Sequence, residues 1–151
     1  MARRPWVIVC VTVLLAGLLP AGAGAGGGAV FDYLFELTAP GDPNNAQFGT
    51  SIVVDGDRMV VGAVGAESAH VFDRDPGTGV WSHTQELTDP NAAPSDSFGA
   101  SVSVSGDRVA VGAPHDDGAG TNRGAAHVFD RDPGTGVWSH TQELNSDAPV
   151  D

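Results

Sequence analysis

Three neighbouring side chains, His115, Asp116 and Asp117, form the most chemically loaded stretch of this 151-residue chain. An imidazole and two carboxylates are donors that a metal ion or a general acid–base pair would use. Adjacent side chains from one loop seldom converge on a single ion, and no partner from elsewhere in the chain suggests itself. The residues favour a solvated turn, in which the aspartates accept bonds from nearby backbone N–H groups. Four further histidines occur as matched pairs, His70 with His83 and His127 with His140. A residue that recurs in each copy of a repeat reads as a packing or hydrogen-bonding position, whereas chemistry needs its residue only once. Asp73, Arg74 and Asp75, with their copies Asp130, Arg131 and Asp132, read as exposed charge pairs beside a turn, each contributing little. No serine stands in a nucleophile elbow, no histidine pair has zinc spacing, and no glycine-rich stretch joins a strand to a phosphate-binding helix. The expectation is a chain without catalytic, cofactor-binding or metal-ligating residues, and not an enzyme.

The elements that position these side chains are repeated. Residues 69–87 and 126–144 are identical at all nineteen positions. Each copy has an alternating run (Ala69 to Asp73, then Ala126 to Asp130), a turn signal (Asp75 to Gly79, then Asp132 to Gly136) and a second run (Val80 to Leu87, then Val137 to Leu144). That order is the signature of a β-hairpin. Another hairpin precedes each: Phe48 to Asp55 and Phe98 to Ser105 lead through the two-residue turns Gly56-Asp57 and Gly106-Asp107 into Arg58 to Ala63 and Arg108 to Ala113. Val102 and Val104 oppose Ser101, Ser103 and Ser105 with period two. Ile52, Val53 and Val54 make both faces of the first copy apolar, as in a strand covered on both sides. Five residues (Val64 to Ser68) link the two hairpins of the first unit and twelve (Pro114 to Ala125) link those of the second, so the spacing grows from fifty to fifty-seven residues.

Glu36-Leu37-Thr38 repeats Glu86-Leu87-Thr88 at the same distance from the next Phe-Gly pair, so residues 31–38 read as the last strand of a further unit. The fold class is therefore all-β, with four-stranded antiparallel meander repeats. Residues 48–88 and 98–145 form two blades of a β-propeller, 26–47 an extra outer strand and linker, and 146–151 a truncated linker, leaving the ring incomplete. A β-sandwich also accommodates eight short strands, but it would not require the halves to be copies.

Met1 to Arg4 is basic, Trp6 to Leu19 apolar, and Pro20 to Gly28 rich in small residues, the order of a secretory signal peptide over 1–25. The apolar stretch is shorter than the roughly 20 residues of a spanning helix. Arg3-Arg4 also suits twin-arginine export, and the route stays open. The only cysteine, Cys10, lies in this segment, so the exported chain has neither disulfide nor cysteine-ligated metal. Lysine is absent, and removing Arg3 and Arg4 leaves 5 arginines against 19 carboxylates, a formal charge of −14. Such a surface repels nucleic acid and anionic membranes. Two readings of the acidity stay open: solubility of a secreted domain, and adaptation to high salt, where screening permits a dense carboxylate surface.

The chain resembles the FG-GAP repeats of integrin α-subunit propellers and of many secreted bacterial and archaeal proteins. The resemblance rests on Phe98-Gly99, Ser101, Val111-Gly112-Ala113-Pro114, Gly124-Ala125-Ala126-His127-Val128-Phe129, Trp138 and Gln142-Glu143-Leu144. The first unit matches at Phe48-Gly49, Ser51, Val61-Gly62-Ala63, Ala69-His70-Val71-Phe72, Trp81 and Gln85-Glu86-Leu87. It departs at Val64, where proline is expected, and at Glu67, where glycine is. The resemblance implies that Phe48 and Phe98 start the innermost strands and pack between blades, with Gly49, Gly99, Gly62 and Gly112 giving neighbouring backbone room. Trp81 and Trp138 share a face with Leu87 and Leu144 and pack between blades, sugar stacking being the other use of such rings. Many members bind calcium between the first two strands of a blade. Here Asp55-Gly56-Asp57-Arg58 and Ser105-Gly106-Asp107-Arg108 are too short and too poor in oxygen donors, so no calcium is expected.

The resemblance implies a secreted or cell-surface, non-catalytic module for adhesion or for binding protein or glycan through blade-end loops. The alternatives are a structural scaffold element and a truncated remnant. Two units fall short of the roughly four to eight blades of a closed ring. The expectation is a piece of a longer repeat protein, with assembly of several chains as the other outlet.

Overall fold

The computed structural model describes residues 36–38, 46–117 and 123–145. The chain divides into two compact units, Met1–Thr38 and Ala39–Asp151. Of the first, residues 36–38 are described and carry no strand. The expected signal peptide, the final linker and residues 31–35 of the expected extra strand lie outside the described residues.

The second unit contains strands β1 (Phe48–Asp55), β2 (Arg58–Ala63), β3 (Ser68–Arg74), β4 (Trp81–Thr88), β5 (Ser101–Ser105), β6 (Arg108–Ala113), β7 (Ala125–Arg131) and β8 (Trp138–Asn145). They form two four-stranded antiparallel meanders, β1-β2-β3-β4 and β5-β6-β7-β8, neither of which closes on itself. Gly56 and Gly106 turn the first hairpins at φ 60° and 56°, where a side chain would be strained. In the duplicated hairpins Asp75 Oδ1 accepts the N–H groups of Gly77 (2.8 Å) and Thr78 (2.7 Å), and Asp132 does the same for Gly134 and Thr135. These bonds replace the solvent that the turn would otherwise need.

The core lies between the two sheets. Val60, Ala69, Val71 and Leu87 of the first meet Phe98, Val109, Val111, Ala113, Phe129 and Trp138, with Val53, Val102 and Val104 packed at the margin. Each large side chain buried there contributes about 1.5–3 kcal/mol. Polar latches fix the stacking. Ser51 Oγ donates to the Gly99 carbonyl at 2.8 Å, and Arg58 Nη1 donates to the Gly106 carbonyl at 2.7 Å. Asp55 accepts the Gly106 N–H at 2.8 Å. The Gln85 amide takes both backbone groups of Trp138, donating to its carbonyl and accepting its N–H at 2.8 Å each. A Cβ on Gly99 would collide with the Ser68 carbonyl, and one on Gly62 with the Gly99 carbonyl, so these glycines permit the close approach of the sheets.

Four details depart from the sequence expectations. A β-bulge between Val71 and Phe72 pairs them with Gln85 and His83, leaving Thr84 as the extra residue, and Thr141 is its copy. One extra residue reverses the alternation, so Trp81 and Leu87 lie on opposite faces, as do Trp138 and Leu144. Trp138 therefore enters the core whereas Leu144 is exposed. Ile52 is exposed too, because only Val53 of its run packs against the core. Phe98 and Gly99 form a turn ahead of β5, whereas Phe48 and Gly49 lie inside β1. Finally, the short first connection contains a 3-10 turn, Val64–Ala66, closed by Glu67 at φ 52°. That is the position where the family has glycine, and a left-handed glutamate costs about 1–2 kcal/mol. The Glu67 carboxylate offsets this by accepting the Phe98 N–H at 2.8 Å, which ties the two sheets together.

Candidate functional site

At the end of the sheets where β4 leads to β5 and β6 leads to β7, three buried ionisable side chains converge: Asp89, Asp116 and His127. Each offers one ligand atom, and these atoms lie within 4.8 Å of one another. His127 comes from β7, where the strand pleat turns it toward the core and Phe98 packs edge-on against it, ring centroids 5.3 Å apart. Its Nε2 is 3.2 Å from Asp116 Oδ2, its Nδ1 is 3.3 Å from His140 Nε2, and Asp89 Oδ1 lies 3.7 Å from the same Nδ1. The bulge at Thr141 brings His140 within reach, since the register sets it opposite Phe129, two residues from His127.

Two connections supply the carboxylates. Asp89 directly follows β4 and accepts the Asn91 N–H at 2.8 Å. Asp96, also buried, accepts the Ala93 N–H at 2.6 Å, and its carbonyl takes the His115 N–H at 3.1 Å. Ser97 Oγ pairs with His115 Nδ1 at 2.9 Å. Ser95 and Ser97, on either side of Asp96, hold left-handed backbone, φ 77° and 60°. Asp116 closes the second loop through its carbonyl, which accepts the Gly124 N–H at 3.0 Å. Burying a carboxylate is costly unless it is paired and hydrogen-bonded, and the His127 imidazole together with loop N–H groups meets that need. Three donors are a partial shell for an ion: zinc commonly takes four ligands and calcium six to eight.

The three adjacent residues singled out in the sequence thus separate. His115 and Asp117 are exposed, whereas Asp116 is buried and turned inward, which corrects the expectation of a wholly solvated turn. Asp116, near the start of the twelve-residue connection, meets His127 of β7. His70, the copy of His127 in the first unit, has Ser68 Oγ at 3.2 Å and His83 at 3.2 Å where His127 has Asp116 and His140. Asp89 and Asp116 are the residues added in the second unit.

At the other end of the sheets the turns behave differently. Asp57 pairs with Arg74 at 2.6 Å, Asp73 with Arg58 at 2.9 Å, and Asp107 lies 3.4 Å from Arg58 and 3.5 Å from Arg131. Hydrogen bonds from Arg108 and then from Thr141 hold the Asp130 carboxyl below the usual range. The backbone N–H and hydroxyl of Thr78, then the Gly77 N–H, do so for Asp75. Trp138 is buried with the Arg58 guanidinium 5.0 Å over its ring, and Trp81 is buried too, so neither presents a face to a sugar.

Among the described residues no helix is long and apolar enough to cross a membrane. A search of curated proteins found none that matches this chain. Residues 81–129 match the family model for the FG-GAP repeat, from the start of β4 through β5 and β6 into β7. That stretch spans the inter-sheet connection with Asp89, the Phe98-Gly99 turn and His127. The chain thus carries an FG-GAP repeat, on two stacked four-stranded sheets of the kind that form β-propeller blades.

Proposed function

We propose that this chain is a secreted, non-catalytic FG-GAP repeat protein that binds another protein or a glycan through its blade-end loops. The observation that carries the reading is the cross-tied pair of connections. Asp89, Asp96, Asp116 and His127 hold residues 89–97 and 114–117 in fixed conformation on two rigid sheets, while Pro90, Asn91, Pro94, His115 and Asp117 stay exposed. Loops positioned by a rigid scaffold are where recognition concentrates. The family is generally non-catalytic and typically extracellular or at the cell surface, which supports the same reading. The Asp89–Asp116–His127 cluster then has a structural role, fixing loop shape, and the turn carboxylates serve backbone and arginine partners in place of calcium.

The test is a glycan array and a surface-extract pull-down with the exported chain, repeated with His115→Ala/Asp117→Ala. Binding that the double variant loses supports the loops as the contact surface. No binding to either panel overturns the reading and favours a structural scaffold element. Calorimetry with calcium should show no tight, stoichiometric binding. The acidic surface supports a saline habitat as part of the proposal, and a melting temperature that fails to rise between low and high salt would remove that part.

A further inference from the structure

Two buried carboxylates flank the His127 ring, one beside each nitrogen. Asp116 Oδ2 lies 3.2 Å from Nε2 and Asp89 Oδ1 lies 3.7 Å from Nδ1, and the side chains of His127, Asp89 and Asp116 are 0%, 2% and 7% exposed. A neutral imidazole carries one N–H. When Nε2–H donates to Asp116, the Nδ1 lone pair points toward His140 Nε2 at 3.3 Å, with the Asp89 carboxylate beside it. An imidazole lone pair and a carboxylate held side by side out of water repel each other, and a cation between them removes the repulsion. The spacing suits a transition ion. Ligand atoms about 2.0–2.1 Å from a tetrahedral zinc lie about 3.3–3.4 Å from one another, so the two ring nitrogens already have that separation and Asp89 Oδ1 needs to move in by about 0.3–0.4 Å. The first sheet carries the same ring pair without the acids. His70 Nδ1 and His83 Nε2 are 3.2 Å apart within the identical segment, but the Ser68 hydroxyl stands on the far side of His70, and Ala39 occupies the sequence position that matches Asp89.

We propose that Asp89 Oδ1, His127 Nδ1 and His140 Nε2 form a binding site for a zinc-like divalent transition ion, with water in the fourth coordination place and Asp116 as a positioning residue. Asp116 then has the part of the outer carboxylate that holds a metal-bound histidine by its other N–H, fixing the ring and raising its basicity. Calcium is not suited, because two imidazole nitrogens leave too few oxygen donors. The bound ion clamps the connection after β4 to strands β7 and β8. His140 is only half-buried, which gives the ion a way in from solvent. The sequence expectation of no metal ligand rested on short spacings, which a set drawn from one connection and two strands does not have. The inference concerns how the loops are anchored and stands apart from what they bind.

The experiment titrates zinc chloride into the untagged full chain, stripped of metal by a chelator, in a calorimeter at neutral pH, with limited proteolysis of residues 89–97 as a second readout. One zinc per chain should bind, and cleavage within 89–97 should slow at least about tenfold. Cobalt in its place should show the visible bands of a tetrahedral ion. Asp89→Asn and His140→Ala should each weaken zinc binding at least about a hundredfold, and Asp116→Asn about 10–100-fold. His83→Ala, the matching change in the first sheet, should leave the affinity unchanged. Circular dichroism that matches the parent in each variant controls for folding. Absence of stoichiometric zinc binding overturns the inference, as does affinity that survives Asp89→Asn. Affinity that falls as much with His83→Ala as with His140→Ala also overturns it, being the mark of adventitious binding by imidazoles. So does protection of 89–97 that ignores zinc but rises as pH falls through the histidine range, since a proton would then fill the place assigned to the metal. Loop binding to a glycan or protein is read in a separate assay, so its failure leaves this inference standing.

Discussion

Truncating Leu87 and Leu144 to alanine makes the same chemical change in the same nineteen-residue segment, so the difference in effect isolates what the neighbouring sheet contributes. Leu87, paired across the sheet with Ala69, is buried in the core between the two sheets, whereas Leu144 is exposed. Leu87→Ala removes three buried carbons, about 2.4 kcal/mol at ~0.8 kcal/mol each. The cavity left behind, only partly collapsed, raises the total to about 3–4 kcal/mol. Leu144→Ala should stay within about 0.5 kcal/mol, as for an exposed site. In a folded unit of this size ~1 kcal/mol corresponds to about 4–8 °C, so the first variant should melt upwards of about 12 °C lower and the second nearly unchanged. Urea unfolding followed by tryptophan fluorescence measures both, with Trp138 in the core as reporter. Equal losses at the two positions would refute the face assignment, and with it the reversal of alternation at Thr84 and Thr141.

Gly99→Ala combines a backbone collision with Ser68 and Ala63 and a φ of 89°, so it should cost at least about 2 kcal/mol in the same unfolding assay. Gly106→Ala, with open space at the missing Cβ, should cost roughly 1 kcal/mol from its left-handed backbone alone. Asp116→Ala leaves the Nε2 side of His127 without its carboxylate and should cost about 1–3 kcal/mol while exposing residues 89–97 to limited proteolysis. Asp75 and Asp132 are held below the usual aspartate range when folded, so their contribution is present above the unfolded pKa and disappears as pH falls through the lower folded value. Replacing both with asparagine removes that contribution, so it should lower the melting temperature at neutral pH and flatten the acid limb of the profile below about pH 4. An identical acid limb in the variant would remove these turns from the account.

The strands were legible because alternation and turn residues are local signals. Val102 and Val104 against three serines, or Gly106-Asp107 between two runs, mean the same wherever they occur. Facing was less legible. Trp81 and Leu87 have the same parity in the sequence, and the bulge that separates them depends on cross-strand pairing with β3, which no single-strand pattern contains. The Asp89–Asp116–His127 cluster was illegible for a related reason, since its members come from two connections and one strand and meet only once the loops have folded over β7. Glu67 was visible as a departure from the family, but its compensating bond to the Phe98 N–H spans thirty-one residues. Arg58 read as a turn neighbour, although its guanidinium reaches across to the second sheet.

Two hairpins of identical sequence also set the chain an addressing problem. Nothing within 69–87 or 126–144 tells one from the other, so β3–β4 and β7–β8 could exchange places on a half-folded chain without any internal mismatch. What assigns each to its sheet is the flanking sequence: Ser68 beside the short 3-10 connection for one, the long connection with Asp116 for the other. Editing a connection is therefore a way to reroute a hairpin, while the hairpin itself behaves as an interchangeable part.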